Sequence, residues 1–295
     1  MLMKIIKYLW LFILWLVCLF ILLIWWYYFY QQYIQDDDIL IQEYSKYFDR
    51  VEVDYMDVWN KKIHYMDVWD PNDQLVMLIH GAPGDISNRN KVLEVDSLHT
   101  WFRFIIPDRI WYGRSETWDA ELSIKAHSDV LMELLLAIQH DDERLPIIVG
   151  HSYGASIAAK MVMDYSDSLM WSIVASGALD PDNERVFAIS HLIKYWPFTR
   201  LVGPMIDVTN NEKLAHSESL RTEVQNYQDI SKPFHVIHGT EDSLVPYINV
   251  QYMQDRVPTE YRYHTAVEWA NHPLQFTNPK ILAESIVWFS LLDSQ

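Results

Sequence analysis

The chain has 295 residues, half of them hydrophobic, and its 40 acidic against 23 basic residues give a formal net charge of −17. So negative a protein is poorly suited to the phosphate backbone of nucleic acids. The sequence contains neither of the two common glycine-rich phosphate-binding loops, and it has no His-x-x-x-His pair. Its single cysteine excludes an internal disulfide and a cysteine-based metal cluster. We therefore expect no nucleic-acid partner, no metal and no cofactor.

An apolar segment without any charged residue runs from Tyr8 to Tyr30. At about 1.5 Å per helical residue, it is long enough to cross the roughly 30 Å hydrocarbon core of a bilayer. A cleaved signal peptide would need small residues at its cleavage site, but no Ala, Gly or Ser precedes Ser45. The sequence therefore predicts one transmembrane anchor over residues 1–34 and a second domain over residues 35–295.

The charges on either side of this segment predict its orientation. Lys4 and Lys7 precede it, whereas the acidic run Asp36-Asp37-Asp38 is the first charged group after it. Because basic residues favour the cytoplasmic side of a membrane, we expect a single-pass protein with a cytoplasmic N-terminus. The second domain would then lie in the periplasm or outside the cell.

A repeated pentapeptide opens the second domain, at Tyr55–Trp59 and again at Tyr65–Trp69. The period is far too short for a solenoid repeat. Alternating apolar and polar residues instead predict two strands that join around Asn60-Lys61-Lys62.

The next apolar strand, Leu75 to Ile79, ends in the turn His80-Gly81-Ala82-Pro83-Gly84. Such a turn can aim a backbone N–H at the edge of a sheet. Ala82 is the expected donor, because Pro83 has no N–H to give. His80 is interpreted as a support for the loop.

A second loop, Asp108 to Ser115, follows the fourth strand. Asp108 is a carboxylate near the sheet edge, and we interpret it as a residue that holds its own loop. Trp111 and Tyr112 in the same loop are candidate pocket residues.

The most informative stretch is the turn of residues 150–154, because an apolar run leads into it and a helical pattern leads out of it. A serine at such a strand-to-helix turn is a candidate nucleophile, and its glycines let strand and helix approach closely. The backbone N–H of the residue after the serine can face the same point as that of Ala82. The turn consists of Gly150, His151, Ser152, Tyr153 and Gly154, with Ser152 as nucleophile and Tyr153 as the second N–H donor.

A serine hydroxyl is a weak nucleophile, so it needs a base and an acid that orients the base. Asp242 follows the short strand Phe234 to Gly239, and His272 lies in the loop between a further strand and a closing helix of about Pro279 to Leu292. Glu241 competes with Asp242 for the orienting role. The chain order is therefore serine, aspartate, histidine.

About fifty residues between the sixth strand and the Asp242 strand, residues 180–231, depart from the alternating strand-and-helix pattern and predict a helical cap. Its apolar residues could cover Ser152 and favour a substrate with an acyl or aromatic group, or they could pack on the sheet edge. They are Ile189, Leu192, Ile193, Trp196 and Phe198, followed by Leu201, Val202, Met205 and Ile206, with Trp196 and Phe198 as candidate pocket residues.

From about Val51 to the C-terminus the chain resembles the α/β-hydrolase family, through the His80-Gly81 turn, the Asp108 loop, the Gly150–Gly154 turn and the loops of Asp242 and His272. The Asp108 loop departs from the family pattern, since Ile110 and Trp111 stand where Pro-Gly is usual. The resemblance implies a mostly parallel eight-stranded sheet with helices on both faces and a small helical cap, here preceded by one transmembrane helix.

The family resemblance and these residues together predict a membrane-anchored serine hydrolase of carboxylic esters, with a small-molecule or lipid-derived substrate. The His80–Gly84 turn also resembles that of proline-releasing aminopeptidases, with Ala82 where they usually carry Gly, so an amide hydrolase is the alternative. Epoxide hydrolase and dehalogenase relatives use an aspartate nucleophile, against which Ser152 argues. A non-catalytic binding protein on the same fold is a third possibility.

Overall fold

The structure is a computed structural model that describes residues 2–33, 35–69, 74–87, 91–115, 120–139, 144–196 and 198–292. The chain divides into two compact units, Met1–Asp36 and Asp37–Gln295. The first unit is a single helix and the second contains all the strands.

The first unit forms the helix α1, Leu2–Tyr33. Its stretch Ile6–Leu23 is long and apolar enough to cross a membrane, and none of that stretch is buried within the protein. A signal sequence near an N-terminus has the same length and composition. The apolar span of the prediction is therefore present as a helix, and its function as an anchor is taken up below.

An eight-stranded sheet organises the second unit, in the order β1-β2-β4-β3-β5-β6-β7-β8. β2 runs antiparallel to β1 and β4, and every other pairing is parallel. The carboxyl ends of β3 to β8 therefore meet at one edge. The strands are β1 Arg50–Val58, β2 Lys61–Trp69, β3 Gln74–Ile79, β4 Phe102–Pro107, β5 Ile147–His151, β6 Trp171–Ala175, β7 Phe234–Gly239 and β8 Arg262–Val267.

The hairpin between β1 and β2 turns at Trp59 and Asn60, both at positive φ, 48° and 66°. Two successive residues of this kind form the tight turn that suits the twist of a hairpin. Val58 pairs with Lys61, so Lys61 and Lys62 already belong to β2. The predicted junction around Asn60-Lys61-Lys62 is thus too late in the chain.

Helices cover both faces of the sheet because its central strands are apolar on both sides. Along β3, Leu75, Met77 and Ile79 belong to one hydrophobic cluster, while Val76 and Leu78 belong to another. This is the two-residue period of a strand buried on both faces. The helices of the second unit are α2 Asp37–Tyr44, α3 Ile124–Ile138, α4 Tyr153–Asp164, α5 Ala188–Ile193, α6 Phe198–Val202, α7 Pro204–Glu223, α8 Ile248–Gln254, α9 Leu274–Thr277 and α10 Pro279–Leu292.

The cap consists of α5, α6 and α7, between β6 and β7. Its long helix α7 buries mainly polar side chains, among them Asn210, Glu212, His216 and Ser219. The predicted apolar face does not lie inward as a whole: Ile189, Leu192, Trp196 and Phe198 are exposed, and the side chain of Leu201 lies outside the described residues. Charges and hydrogen bonds, rather than an apolar stripe, hold α7 in place.

Candidate active site

The backbone of Ser152 is held in an unusual conformation between β5 and α4. Its φ of 55° and ψ of −117° lie in a region that residues with a side chain rarely adopt. The Ser152 N–H donates a 3.0 Å hydrogen bond to the carbonyl of Ala175 in β6, which fixes the turn to the neighbouring strand. The turn therefore presents the Ser152 hydroxyl at the carboxyl edge of the sheet.

Two glycines allow this turn to be so tight. A Cβ on Gly150 would lie 2.2 Å from the carbonyl oxygen of Gly154, and a Cβ on Gly154 would lie 2.4 Å from that of Ile79. Both contacts are with backbone atoms that cannot move aside. The predicted close approach of strand and helix is thus present.

Ser152, His272 and Asp242 form one chain of hydrogen bonds. His272 Nε2 lies 3.0 Å from Ser152 Oγ, and His272 Nδ1 lies 2.8 Å from Asp242 Oδ2. A neutral imidazole that donates from Nδ1 to a carboxylate has a free lone pair on Nε2, directed here at the serine hydroxyl. This arrangement can remove the hydroxyl proton as Oγ attacks an electrophile.

The other carboxylate oxygen of Asp242 is held by the loop that follows β7. Asp242 Oδ1 accepts hydrogen bonds from the N–H groups of Leu244, at 3.0 Å, and Val245, at 2.8 Å. Burial raises the pKa of Asp242, but the hydrogen bonds from His272 and Val245 outweigh burial and leave the pKa below its ordinary value. Asp242 therefore stays ionised, whereas the competing Glu241 is exposed to solvent.

His151, next to the serine, holds the loop of His272. His151 Nε2 donates to the backbone carbonyl of His272 at 3.1 Å, and the amide of Gln275 donates to His151 Nδ1 at 3.1 Å. Burial, and then the neighbouring His272, lower the pKa of His151 to about 3. The ring is thus a neutral support for the loop of His272.

The two predicted N–H donors lie beside the serine. Ala82, Tyr153, Ser152 and His272 line the same cavity. Tyr153 is the first residue of α4, where the backbone N–H has no partner within the helix. A Cβ on Gly81 would lie 3.0 Å from Ser152 Cβ, so the loop of Ala82 rests directly against the serine turn.

The cavity has a volume of about 310 Å³ and lies between the sheet edge and the cap. Its sheet side is formed by the residues just described, and its cap side mixes apolar and charged groups. The remaining lining residues are Pro83, Ala178, Glu184, Phe187, Ser190, Ile193, Ile206, Thr209, Asn210, Lys213, His216, Leu244 and Val245.

The four aromatic residues predicted to line a pocket lie elsewhere. Trp196 and Phe198 are exposed on the outside of the cap. Trp111 packs against the core with Lys61 Nζ 5.3 Å from its ring centre, and the fully buried Tyr112 bonds to the cap. The prediction that these four residues line the pocket is therefore corrected: two of the rings lie on the surface and two pack against other residues. A sequence does not show which way a cap segment faces.

A buried ion pair joins the Asp108 loop to the cap, and the sequence analysis missed it. Arg109 and Glu212 are both fully buried and make two hydrogen bonds, 2.9 and 3.1 Å long. Glu212 also accepts bonds from the Tyr112 hydroxyl, at 2.6 Å, and from His127 Nε2, at 3.1 Å. Burial raises the pKa of Glu212, but Arg109 and then His127 lower it to about 2. No sequence signal relates residues 103 positions apart.

Arg109 also connects this ion pair to the predicted N–H donors. Its guanidinium donates a 3.1 Å hydrogen bond to the carbonyl of Gly81 and lies 4.6 Å from the ring centre of Tyr153. On the cap side the ring of His216 stacks on the same tyrosine at 4.5 Å. The loop of Ala82 is therefore tied to the cap through Arg109 and Glu212, and Tyr153 contacts the cap through His216.

A second charged group, Glu184 with Lys213 and His216, lies in the cap wall of the cavity. Glu184 accepts from Lys213 Nζ, and His216 Nδ1 lies 3.0 Å from the same carboxylate. His216 Nε2 lies 3.1 Å from the Ser156 hydroxyl, whose own proton is donated to the carbonyl of Ala178. Both ring nitrogens of His216 therefore lie within hydrogen-bond distance of oxygen atoms.

The pKa of Glu184 follows from these neighbours. Burial raises it, but His216 and then Lys213 lower it to about 2, so the carboxylate stays ionised. Within the described ranges, no three His, Cys, Asp or Glu side chains are placed to hold a metal ion.

Comparison with known proteins gives three findings. A family model described as the alpha/beta hydrolase family matches residues 76–285. A solved membrane phospholipase A, described as a bacterial virulence factor, is 17% identical, covers 96% of this chain and 98% of its own, and has a TM-score of 0.66. A serine hydrolase involved in carbazole degradation is 17% identical, covers 82% of this chain and 100% of its own, and has a TM-score of 0.61.

Among curated relatives, an uncharacterised protein of Mycobacterium tuberculosis is 30% identical over 120 residues. That match covers 40% of this chain and spans a third, 33%, of the relative's length. At these identities the two solved structures show likeness of fold and carry no information about the substrate.

Proposed function

The chain belongs to the alpha/beta hydrolase family, and on that premise we propose that it is a serine hydrolase of carboxylic esters that forms an acyl-enzyme intermediate. The observation that carries the proposal is the hydrogen-bonded chain from Asp242 through His272 to the hydroxyl of Ser152. Ser152 lines the cavity between the sheet edge and the cap, within reach of a bound substrate.

The reaction would proceed in two halves. Ser152 Oγ attacks the ester carbonyl carbon while His272 Nε2 takes the hydroxyl proton, and the N–H groups of Ala82 and Tyr153 bind the resulting oxyanion. When the intermediate collapses, the carbon–oxygen bond to the alcohol breaks and His272 returns the proton to the departing oxygen. Water, deprotonated by His272, then attacks the acyl group and releases the acid.

Charge in the cavity supports an ester over the amino-terminal peptide substrate of an aminopeptidase. Binding of a free ammonium group needs an unoccupied anion. Among the described residues that line the cavity, the carboxylate on the cap side is that of Glu184, and it is already paired with Lys213 and His216. Ser152 as nucleophile argues against epoxide hydrolysis and dehalogenation, which would require an aspartate at that position.

We also propose that residues 1–34 anchor residues 35–295 to a membrane, with the N-terminus cytoplasmic and the hydrolase domain periplasmic or extracellular. The length and apolar character of Ile6–Leu23 support the anchor, and Lys4 and Lys7 before it support the orientation. An anchor of this kind would hold the enzyme near lipid-derived esters.

Labelling with a fluorophosphonate probe tests whether Ser152 is an activated nucleophile. The full chain should be labelled, and Ser152→Ala should abolish both labelling and ester hydrolysis without changing the melting temperature, because the hydroxyl contributes little packing. Ser190→Ala is the matched control, since Ser190 lines the same cavity but is not part of the hydrogen-bonded chain of Asp242 and His272; this variant should remain labelled. Labelling that persists in Ser152→Ala would assign the activated nucleophile to another residue, whereas absence of labelling in the full chain would favour a non-catalytic role.

A further inference from the structure

The outside of the cap carries an unusual concentration of exposed apolar side chains. Large exposed apolar residues are scattered singly on most protein surfaces, whereas a contiguous group marks a binding surface. Here eight of them fall between residues 186 and 206, and we call them the cap surface: Val186, Phe187, Ile189, Leu192, Tyr195, Trp196, Phe198 and Ile206.

The same segment is basic in a strongly acidic protein. Between Glu184 and Asp207 the sequence holds three basic residues, Arg185, Lys194 and Arg200, and no acidic one. The formal charge of this segment is therefore +3, against −17 for the whole chain. An anionic surface would repel most of this protein and attract this segment.

The aromatic residues of the cap surface suit the boundary between lipid and water. Trp196 is 80% exposed and Tyr195 is 59% exposed. Tryptophan and tyrosine side chains favour the headgroup level of a bilayer, because each combines an apolar ring with a polar group. Lys194, which is also exposed, directly precedes Tyr195 in the sequence, so its ammonium can reach lipid phosphates.

The cap surface is continuous with the cavity that contains Ser152. Phe187 and Ile206 belong to the cap surface and also line the cavity, and Leu244, which lines the cavity from the other side, is exposed as well. An acyl chain that leaves a bilayer at the cap surface would therefore meet apolar side chains at the entrance of the cavity.

We propose that the cap surface docks on an anionic lipid bilayer and that the cavity receives its ester from that bilayer. Net basic charge on an apolar and aromatic segment of an acidic protein is the combination that recognises anionic lipid. The docking rests on this surface alone, whereas the delivery of a lipid ester rests on the proposed function.

Lipid contact is measured on the full chain with a single fluorescent label. In a Cys18→Ser background, which removes the protein's one cysteine, Trp196→Cys and the control Trp101→Cys each take a bimane label. Trp101 is 70% exposed and lies next to β4, away from the cap in sequence. The proteins are reconstituted in phosphatidylcholine vesicles with 30% phosphatidylglycerol and spin-labelled acyl chains.

Quenching by the acyl-chain label should be at least severalfold stronger at position 196 than at position 101, and it should weaken without phosphatidylglycerol. Equal quenching at the two positions would overturn the docking. Quenching at neither position, together with cross-linking of position 196 to another protein, would overturn it in favour of a protein partner.

The kinetic test separates docking from chemistry. Lys194→Glu should lower hydrolysis of an ester embedded in the same vesicles by about fivefold or more, since each basic residue near an anionic surface contributes about a factor of that size. Hydrolysis of a short water-soluble ester should not change, because Lys194 does not line the cavity. Lys280→Glu, an exposed lysine on α10, is the matched control. Equal loss in the two variants would contradict the docking, while absence of all ester hydrolysis in the parent would refute the proposed function instead.

Discussion

The two walls of the cavity are built by different means. The sheet wall, with Ala82, Ser152 and His272, is fixed by backbone contacts of glycines and by the apolar core. The cap wall is held by buried polar groups, with Glu212 of α7 paired with Arg109, and with Glu184 bonded to Lys213 and His216 of α7. The sheet wall therefore rests mainly on packing, whereas the cap wall rests on ion pairs that hold only while their groups stay ionised.

Catalysis by the residues of the sheet wall should depend most strongly on Asp242. Asp242→Asn is expected to lower kcat by about 10⁴-fold, because an amide favours the wrong tautomer of His272. Glu241→Gln, one residue earlier and exposed, is the control and should change kcat by less than twofold. Steady-state kinetics on a water-soluble ester measure both, and the reverse ranking would assign the acid to Glu241.

The stability of the cap wall should depend on charged residues that act in pairs. Arg109→Met leaves Glu212 buried without its main partner, so we expect the free energy of unfolding to fall by about 3–5 kcal/mol. Adding Glu212→Met should restore a large part of that loss, since an apolar pair replaces the stranded charge. Urea denaturation measures each variant, and a double variant less stable than Arg109→Met would show that the ion pair does not act as a unit.

Acid should destabilise the two walls over different pH ranges. The folded-state pKa of about 3 for His151 lies below the ordinary 6.5, so the unfolded chain binds a proton first and stability falls between about pH 6.5 and 3. The pKa values of Glu184 and Glu212, about 2 against an ordinary 4.5, are also lowered. Their stabilisation is complete above about pH 4.5 and is lost as the pH falls towards 2.

Chemical denaturation at a series of pH values tests these ranges. Shifts of this size in pKa correspond to roughly 3–5 kcal/mol per group. His151→Gln should remove the loss that begins near pH 6.5, and Glu184→Gln should remove part of the loss below pH 4.5. If Glu184→Gln instead altered the loss of stability that begins near pH 6.5, the assignment of the two pH ranges to the two walls would be wrong.

The sheet wall was predictable from the sequence and the cap wall was not. The expected eight-stranded α/β-hydrolase fold is confirmed by the family match, and the helix predicted over Pro279–Leu292 is present with those bounds. Ser152, Asp242 and His272 lie together as predicted because each follows a strand of one parallel sheet, and the carboxyl ends of such strands share an edge.

The contacts of the cap could not be predicted from the sequence, for a physical reason. Arg109 and Glu212 meet across 103 positions, and periodicity reports only on neighbours within one element. The apolar side chains of α5 and α6 gave no sign of whether they face the serine or solvent, so Trp196 and Phe198 were assigned to the wrong side. Burial of charged groups on α7 runs against the ordinary preference for apolar burial.

The central claim, that Ser152 carries an acyl group during turnover, is tested most directly by rapid mixing of the full chain with p-nitrophenyl butyrate followed by acid quench. We predict a burst of about one p-nitrophenol per protein and a butyryl adduct on the peptide that contains Ser152, with neither in Ser152→Ala. An adduct on another residue, or burst kinetics that Ser152→Ala retains, would contradict the claim.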